Sequence, residues 1–110
     1  MAATAWSFYN SFKEKLGNAV FDLDASTPNF RMALFTNSAS TNANNVALST
    51  YASIANEVAN GNGYATGGVS VSGRTWASTA TNKYRWDATA VVWTATGGDI
   101  ANVKYAIIYK

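Results

Sequence analysis

The last eight residues of the chain, Val103 to Lys110, read V-K-Y-A-I-I-Y-K. In an extended backbone Val103, Tyr105, Ile107 and Tyr109 face one way and Lys104, Ala106, Ile108 and Lys110 the other. Both faces therefore carry apolar side chains. A strand of this kind needs cover on both sides, which predicts an interior place in a sheet rather than an exposed edge. The stretch is expected to be the strand on which the other segments pair and pack.

A second stretch has the same character. In Phe30 to Thr36 (F-R-M-A-L-F-T) Phe30, Met32 and Leu34 share one face, and Arg31, Ala33 and Phe35 the other. The two stretches are predicted to be central neighbours. Pro28, the only proline, sits where this strand would begin and leaves no N–H unpaired there. Ahead of it, Phe21-Asp22-Leu23-Asp24 alternates and runs into the turn-prone A-S-T-P-N. The second half continues the pattern. Val69 to Trp76, Lys83 to Asp87 and Ala90 to Thr94 alternate as short strands, with Thr79 to Asn82 as a hairpin loop and Gly97-Gly98-Asp99 as the turn before the last strand.

The start of the chain differs. Over residues 4–16, Trp6, Tyr9, Phe12 and Leu16 recur at three to four residues, with Phe8 widening the stripe. Thr4 would cap this helix and Gly17-Asn18 would stop it. About three turns are marginal alone, so the helix must pack on the rest, with Trp6 and Phe8 in the core. The opposing reading makes Trp6 and Phe8 an arm that inserts into a neighbouring molecule. Asn37 to Asn45 is a polar loop without a hydrophobic anchor, and Tyr51, Ile54 and Val58 suggest a short helical segment between Thr50 and Ala59. Turn signals every 8–12 residues then point to a mainly β single domain spanning 1–110. Its architecture would be a β-sandwich or flattened barrel with an N-terminal α-helix at about 4–16 and strands within 28–36 and 69–110.

Composition decides what chemistry is open to such a domain. Neither cysteine nor histidine occurs, which removes disulfides, thiolate or Ser-His-Asp nucleophiles and zinc sites that rely on sulfur or imidazole. No apolar run reaches the ~18–20 residues of a membrane helix, and no basic-then-apolar leader opens the chain, so a soluble protein unprocessed at its start is expected. Charged residues make up 13%, against a usual ~25%, while aromatics make up 14%. A surface built from Asn, Ser and Thr has weak electrostatic protection against association, and burial in an assembly follows as the expectation.

Four of the eight glycines lie in Gly61-Asn-Gly63-Tyr64-Ala-Thr-Gly67-Gly68. A dinucleotide fingerprint fails here because Thr66 replaces its third glycine and a strand follows; a phosphate loop fails because no lysine follows Gly67 or Gly68. Gly61, Gly63, Tyr64, Gly67 and Gly68 are read as a structural turn. Asp22 and Asp24 could share a cation or act as an acid/base pair, but nothing nearby adds a ligand, and turn aspartates are the better reading. Lys83-Tyr84-Arg85-Trp86, with Arg74 across the hairpin, interleaves cations and aromatics as single-strand binders do. The alternation sends aromatics to the core and cations to water, and a net charge of +2 is small for phosphate binding. Trp76, Trp86 and Trp93 as a sugar-stacking platform is the weaker reading beside core packing.

The order of short motifs carries more than any one of them. Asn10-Ser-Phe-Lys-Glu-Lys-Leu-Gly17, Phe21-Asp-Leu-Asp24, Phe30 to Ser38, Asn56-Glu-Val58, the glycine stretch, Ala90-Val-Val-Trp93 and Tyr105-Ala-Ile-Ile-Tyr109 follow one another. This sequence resembles a family of small virion structural proteins of tailed bacteriophages. The resemblance implies a non-catalytic part of the particle without metal, cofactor or active site. Foremost it implies a capsid decoration (cement) protein that binds and stabilises the assembled shell. Its partners would be the major capsid protein or other virion proteins, with a homo-oligomer open, and no nucleic acid or membrane. Its place would be the capsid surface of the virion after synthesis in the host cytoplasm. The alternatives are a tail or fibre component and a glycan-binding β-sandwich module. Candidate contact residues are Trp6, Phe8, Asn42, Asn44 and Asn45.

Overall fold

A computed structural model describes residues 6–24, 29–39 and 43–110. Thr4, Pro28 and Asn42, read above as a cap, a strand start and a contact, lie outside them. The regular elements are mostly strands, in two antiparallel sheets, with one short α-helix, α1 (Asn10–Gly17). One sheet has the order β2-β1-β5, from β1 (Arg31–Thr36), β2 (Val69–Ser70) and β5 (Val103–Tyr109). The other is the hairpin of β3 (Thr75–Ala80) and β4 (Lys83–Asp87). The two sheets do not close into a barrel.

The central strand is β1, which corrects the place expected for Val103 to Lys110. The two stretches do pair, from Arg31↔Tyr109 to Phe35↔Tyr105, but β5 lies at the edge. The other side of β1 is also taken. Ser70 and Val69 pair with Arg31 and Met32. Farther along, Thr36 N–H donates to Asn56 O and Val58 N–H to Leu34 O, each at 2.9 Å. Both faces of β1 are covered as well. Ala33 and Phe35 form a buried cluster with Ala39 and Ile107, bordered by Tyr9, Tyr51, Ile54, Tyr105 and Tyr109. Leu34, opposite, packs with Val58 and Tyr64, bordered by Trp93 and Ile100. On β5 the Tyr105/Ile107/Tyr109 face packs on the core; on the other face Lys104 and Ala106 are exposed and Ile108 is half-buried.

The helix is shorter than expected. Tyr9, in extended backbone, stands at its N-cap, and Trp6 to Phe8 precede it without helical structure. Two bonds explain the late start. Asn10 N–H donates to Val46 O at 2.9 Å, and Tyr9 Oη donates to Ala43 O at 2.7 Å, so the chain is tied to the 43–46 loop where helix would otherwise propagate. Gly17-Asn18 do end it, with Asn18 N–H closing on Glu14 O. Trp6 and Phe8 are 60% and 58% exposed, which corrects their expected place in the core. The loop from Asn37 also has anchors after all, because Ala39 is buried and Ala43 packs on the same cluster. The helical segment after Thr50 is a single 3-10 turn, Tyr51–Ser53.

Two strand expectations fail, each for a local reason. Val69 to Trp76 breaks after Ser70, where Gly73 has a positive φ and Arg74 tucks its guanidinium 4.9 Å over the Phe30 ring. Ala90 to Thr94 forms no ladder. It runs against the Asn62-Gly63 turn, where a Cβ at Gly63 would stand 2.0 Å from Thr94 O, and Thr96 N–H donates to Asn62 O. The glycine turn lies against Thr94, in the space a partner strand would take.

A row of rings joins the parts. Phe8, Phe12, Phe21, Phe30 and Trp86 follow one another at centroid separations of 5.2, 5.7, 5.4 and 5.7 Å. It links α1 to the sheet and the sheet to the base of the hairpin, where Trp86 Nε1 donates to Leu23 O at 2.8 Å.

Phe35 is fully buried where both edges and both faces of β1 are occupied. Phe35→Ala should therefore destabilise by about 3–5 kcal/mol. Tyr84→Ala, at a residue 64% exposed, should change stability by under about 0.5 kcal/mol. Urea unfolding of the two variants checks the contrast, and equal losses would remove β1 from the centre of the fold.

Candidate interaction surface

The densest polar cluster among the described residues is built around Glu57, named above only within the Asn56-Glu-Val58 motif. Its backbone bridges Phe35 on β1. Its carboxylate accepts Tyr51 Oη on Oε2, and on Oε1 it accepts Tyr64 Oη at 2.6 Å and the Gly67 N–H at 2.7 Å. Tyr64 Oη in turn accepts the Leu34 N–H at 3.0 Å. Gly67 O receives Tyr109 Oη at 2.8 Å and Arg31 Nε at 3.0 Å, and Arg31 Nη2 donates to Gly68 O at 2.6 Å. The Tyr51 and Tyr109 rings stack at 4.1 Å above this.

These bonds give the glycine stretch its shape. Gly61 and Tyr64 exchange backbone bonds of 2.8 and 2.9 Å across Asn62-Gly63, both at positive φ, the two-residue hairpin that Asn-Gly favours. Gly68 follows at φ 63°, where a Cβ would stand 1.8 Å from Met32 O. The cluster has an acceptor carboxylate and phenols but no nucleophile or second acid beside it. Its chemistry is that of a clamp holding residues 61–68 to β1 and β5.

The other candidate residues are dispersed. Asp22 Oδ1 accepts the Asp24 N–H, and Asp24 Oδ1 accepts the Trp76 N–H at 3.2 Å, so both carboxylates serve turns and caps. No group of three or more acidic residues that could hold a metal occurs among the described residues. Arg74 is buried on Phe30 and so separated from Lys83 and Arg85, of which Arg85 pairs with Asp87 at 3.0 Å in water. Trp93 packs on Tyr64, away from Trp76 and Trp86, so the three do not make one platform. A cleft of about 360 Å3 between α1, Tyr51 and the end of β5 is lined by Phe12, Phe21, Ile54, Tyr109 and Lys110, among others, and holds no carboxylate.

Exposed aromatic surface is what remains, in two places. One is Trp6 with Phe8, ahead of α1. The other is the β3–β4 hairpin. There the alternation puts Trp76, Tyr84 and Trp86 on one face as expected, but that face does not turn to the core. Only Trp86 packs inward, on Phe30. Trp76 and Tyr84 stack on each other at 5.8 Å while 47% and 64% exposed, a correction to the expectation that the hairpin's aromatics fill the core. Alternation told which residues share a face but carried no signal of which face meets solvent. Asn44 and Asn45 are exposed, and Asn45 closes its own turn by accepting the Ala47 N–H.

Compared with known protein families, curated proteins and solved structures, the chain matches none.

The clamp has a measurable consequence at alkaline pH. Burial first, and the Glu57 carboxylate second, raise the Tyr51 and Tyr64 hydroxyls well above their ordinary value; burial raises Tyr9 too. Above about pH 10 the unfolded chain loses these protons first, the native state then binds more protons, and stability falls with rising pH. Melting temperature should therefore hold steady to about pH 10 and drop beyond it, with a shallower drop in Y51F/Y64F. A melting temperature that stays flat at higher pH would show that the phenols ionise as freely in the folded chain.

Proposed function

We propose that this chain is a non-catalytic structural protein of a tailed-bacteriophage virion, a decoration protein that binds the outside of an assembled capsid. The observation that carries the reading is the exposed aromatic surface, Trp6 and Phe8 before α1 and the Trp76–Tyr84 stack on the hairpin, in a chain of only 13% charged residues. Apolar area left in water costs roughly 25 cal/mol per Å2, and covering it is the gain that association offers. The ordered motifs of the sequence supply the phage context.

In this reading the major capsid protein is the partner, and the mechanism is linkage. A protein that binds only the assembled shell makes disassembly harder, by roughly 2.7 kcal/mol per site at 100 times Kd. The sandwich arrangement is part of the proposal: the three-stranded sheet and the hairpin would be its two layers, joined through Phe30 and Trp86. Contact would be apolar and hydrogen-bonded. Arg31 and Arg74 are engaged within the fold, which leaves Lys83 and Arg85 as the hairpin's cations for any ionic contact.

Particles stripped of the protein and given it back provide the test. Rebinding should survive 1 M NaCl, where the Debye length is about 3 Å, and should fall at least tenfold in W6A/F8A or W76A/Y84A variants that still melt cooperatively. Mass spectrometry of intact particles should count tens to hundreds of copies, whereas a tail component would be present in far fewer. Steep loss of binding with salt would overturn the apolar contact, and absence of the protein from particles would overturn the virion reading.

A further inference from the structure

The segments that pair with β1 are bonded to it along their backbones, whereas α1 is held by a few side chains. None of its eight residues is buried, no side chain caps its N-terminus and its first turn has no acidic residue. Two turns of helix without such aids are unstable by themselves. The ties that hold them gather next to one residue. Tyr9 packs on the cluster of Ala33, Phe35, Ala39 and Ile107, and its hydroxyl donates to Ala43 O at 2.7 Å. Beside it the Asn10 N–H donates to Val46 O at 2.9 Å, and farther on the Phe12 ring leans on Phe21 at 5.7 Å.

The chain after α1 has a fixed point and a strained joint. Leu23 O accepts Trp86 Nε1 at 2.8 Å and Asp24 Oδ1 accepts the Trp76 N–H at 3.2 Å, which pins these residues to the base of the hairpin. Between the pin and α1, Ala19 takes φ 56°, a left-handed position after a helix that glycine or asparagine usually fills. Its Cβ makes the closed turn costly, and unwinding the turn recovers that cost. Under the helix lies open space. A cleft of about 360 Å3 lies between Phe12 and Lys15 on one side and Tyr51, Ile54 and Tyr109 on the other, so the segment spans a gap.

We propose that residues 6–20 form a strap that opens as one unit while the sheet around β1 stays folded, with Tyr9 as its latch and Ala19 as its joint. Segments with few buried contacts open at a lower free energy than the core they rest on. The core does not come apart with the strap, because β1 keeps β5, β2 and residues 56–58 along its edges in either state. Shut, the strap holds Tyr9 against the cluster that includes Ile107, and Phe12 at the cleft. Open, it uncovers Ile54, Ile107 and Tyr109 and carries Trp6 and Phe8 away with it. The apolar area shown to water therefore rises on opening. This inference concerns the free protein and does not rest on the capsid reading.

Native-state hydrogen exchange of the full chain, read by NMR at rising low urea, tests this. The amides of Gly17, Asn18 and Val20 should be protected, yet exchange at least about tenfold faster than those of Thr36 and Val58, which bond across β1. Their rates should rise with urea, less steeply than global unfolding, because a unit that opens exposes surface in proportion to its size. Tyr9→Phe keeps the ring and removes its hydrogen bond, and should speed the strap amides about three- to tenfold. Thr36 and Val58 should speed by the same factor, since global unfolding breaks that bond too. Ile100→Ala, at the Leu34 cluster on the other face of β1, should speed Thr36 and Val58 at least about tenfold and leave the strap amides as they were. Strap amides that follow Ile100→Ala would belong to the core and overturn the proposal. So would strap amides with no protection, a urea slope of zero, which marks fraying, or indifference to Tyr9→Phe.

Discussion

The structure depends on β1 being occupied on all four sides. Its backbone bonds run to β5 along one edge and to residues 56–58 and β2 along the other. Its side chains divide between two apolar clusters, Phe35 with Ala33 and Ile107 on one face and Leu34 with Val58 and Tyr64 on the other. A strand in this position is bonded along both edges, and its apolar side chains are claimed by two clusters. Everything packed on it is consequently fixed in register. The segment at 56–58 sets Glu57 beside Phe35, and Glu57 in turn holds Tyr51, Tyr64 and Gly67.

Away from β1 the organisation loosens in a graded way. The row of rings from Phe8 through Phe12, Phe21 and Phe30 to Trp86 carries contact from the core to both ends of the molecule. At each end the row passes into exposed aromatics. Phe8 leads to Trp6, and Trp86 leads across the hairpin to Trp76 and Tyr84. A two-stranded hairpin is marginal by itself. This one is held at its base, by Trp86 on Phe30 and Leu23 and by Asp24 on Trp76, with its tip free of the core. The stable part of the protein is thus the scaffold, and the parts that stand off it carry the sticky surface.

That division bears on function. The clamp around Glu57 has the densest hydrogen bonding among the described residues, and its bonds hold residues 61–68 to β1 and β5. Its role is to make a glycine-rich stretch rigid, a structural service. Uncovered aromatics lie where charge is scarce, and the proposal that this chain is a component of a larger assembly rests on them.

Sequence alone determined the strand-forming stretches, because alternation and turn residues are local. Phe30 to Thr36 reads apolar on both faces and is buried on both. Lys83 to Asp87 pairs with Thr75 to Ala80, the loop expected at 79–82 being shortened to a turn at 81–82, and Gly17-Asn18 end the helix. The pairing of β1 with β5 was legible too, since two doubly apolar strands need each other's cover. Tertiary structure decided which of them is central. β1 takes the central place because residues 56–58 and 69–70 return to it from far along the chain, and no local pattern encodes that return. The same holds for Ala90 to Thr94, a good strand by alternation that is claimed by the Asn62-Gly63 turn. It holds for Glu57, whose motif Asn56-Glu-Val58 names no partner and which acquires its partners only when Tyr51, Tyr64 and Gly67 converge. It holds most of all for Trp76 and Tyr84. Their shared face was written in the period of two, but whether that face meets the core or water depends on where the hairpin stands, and only the packing of Trp86 on Phe30 fixes that.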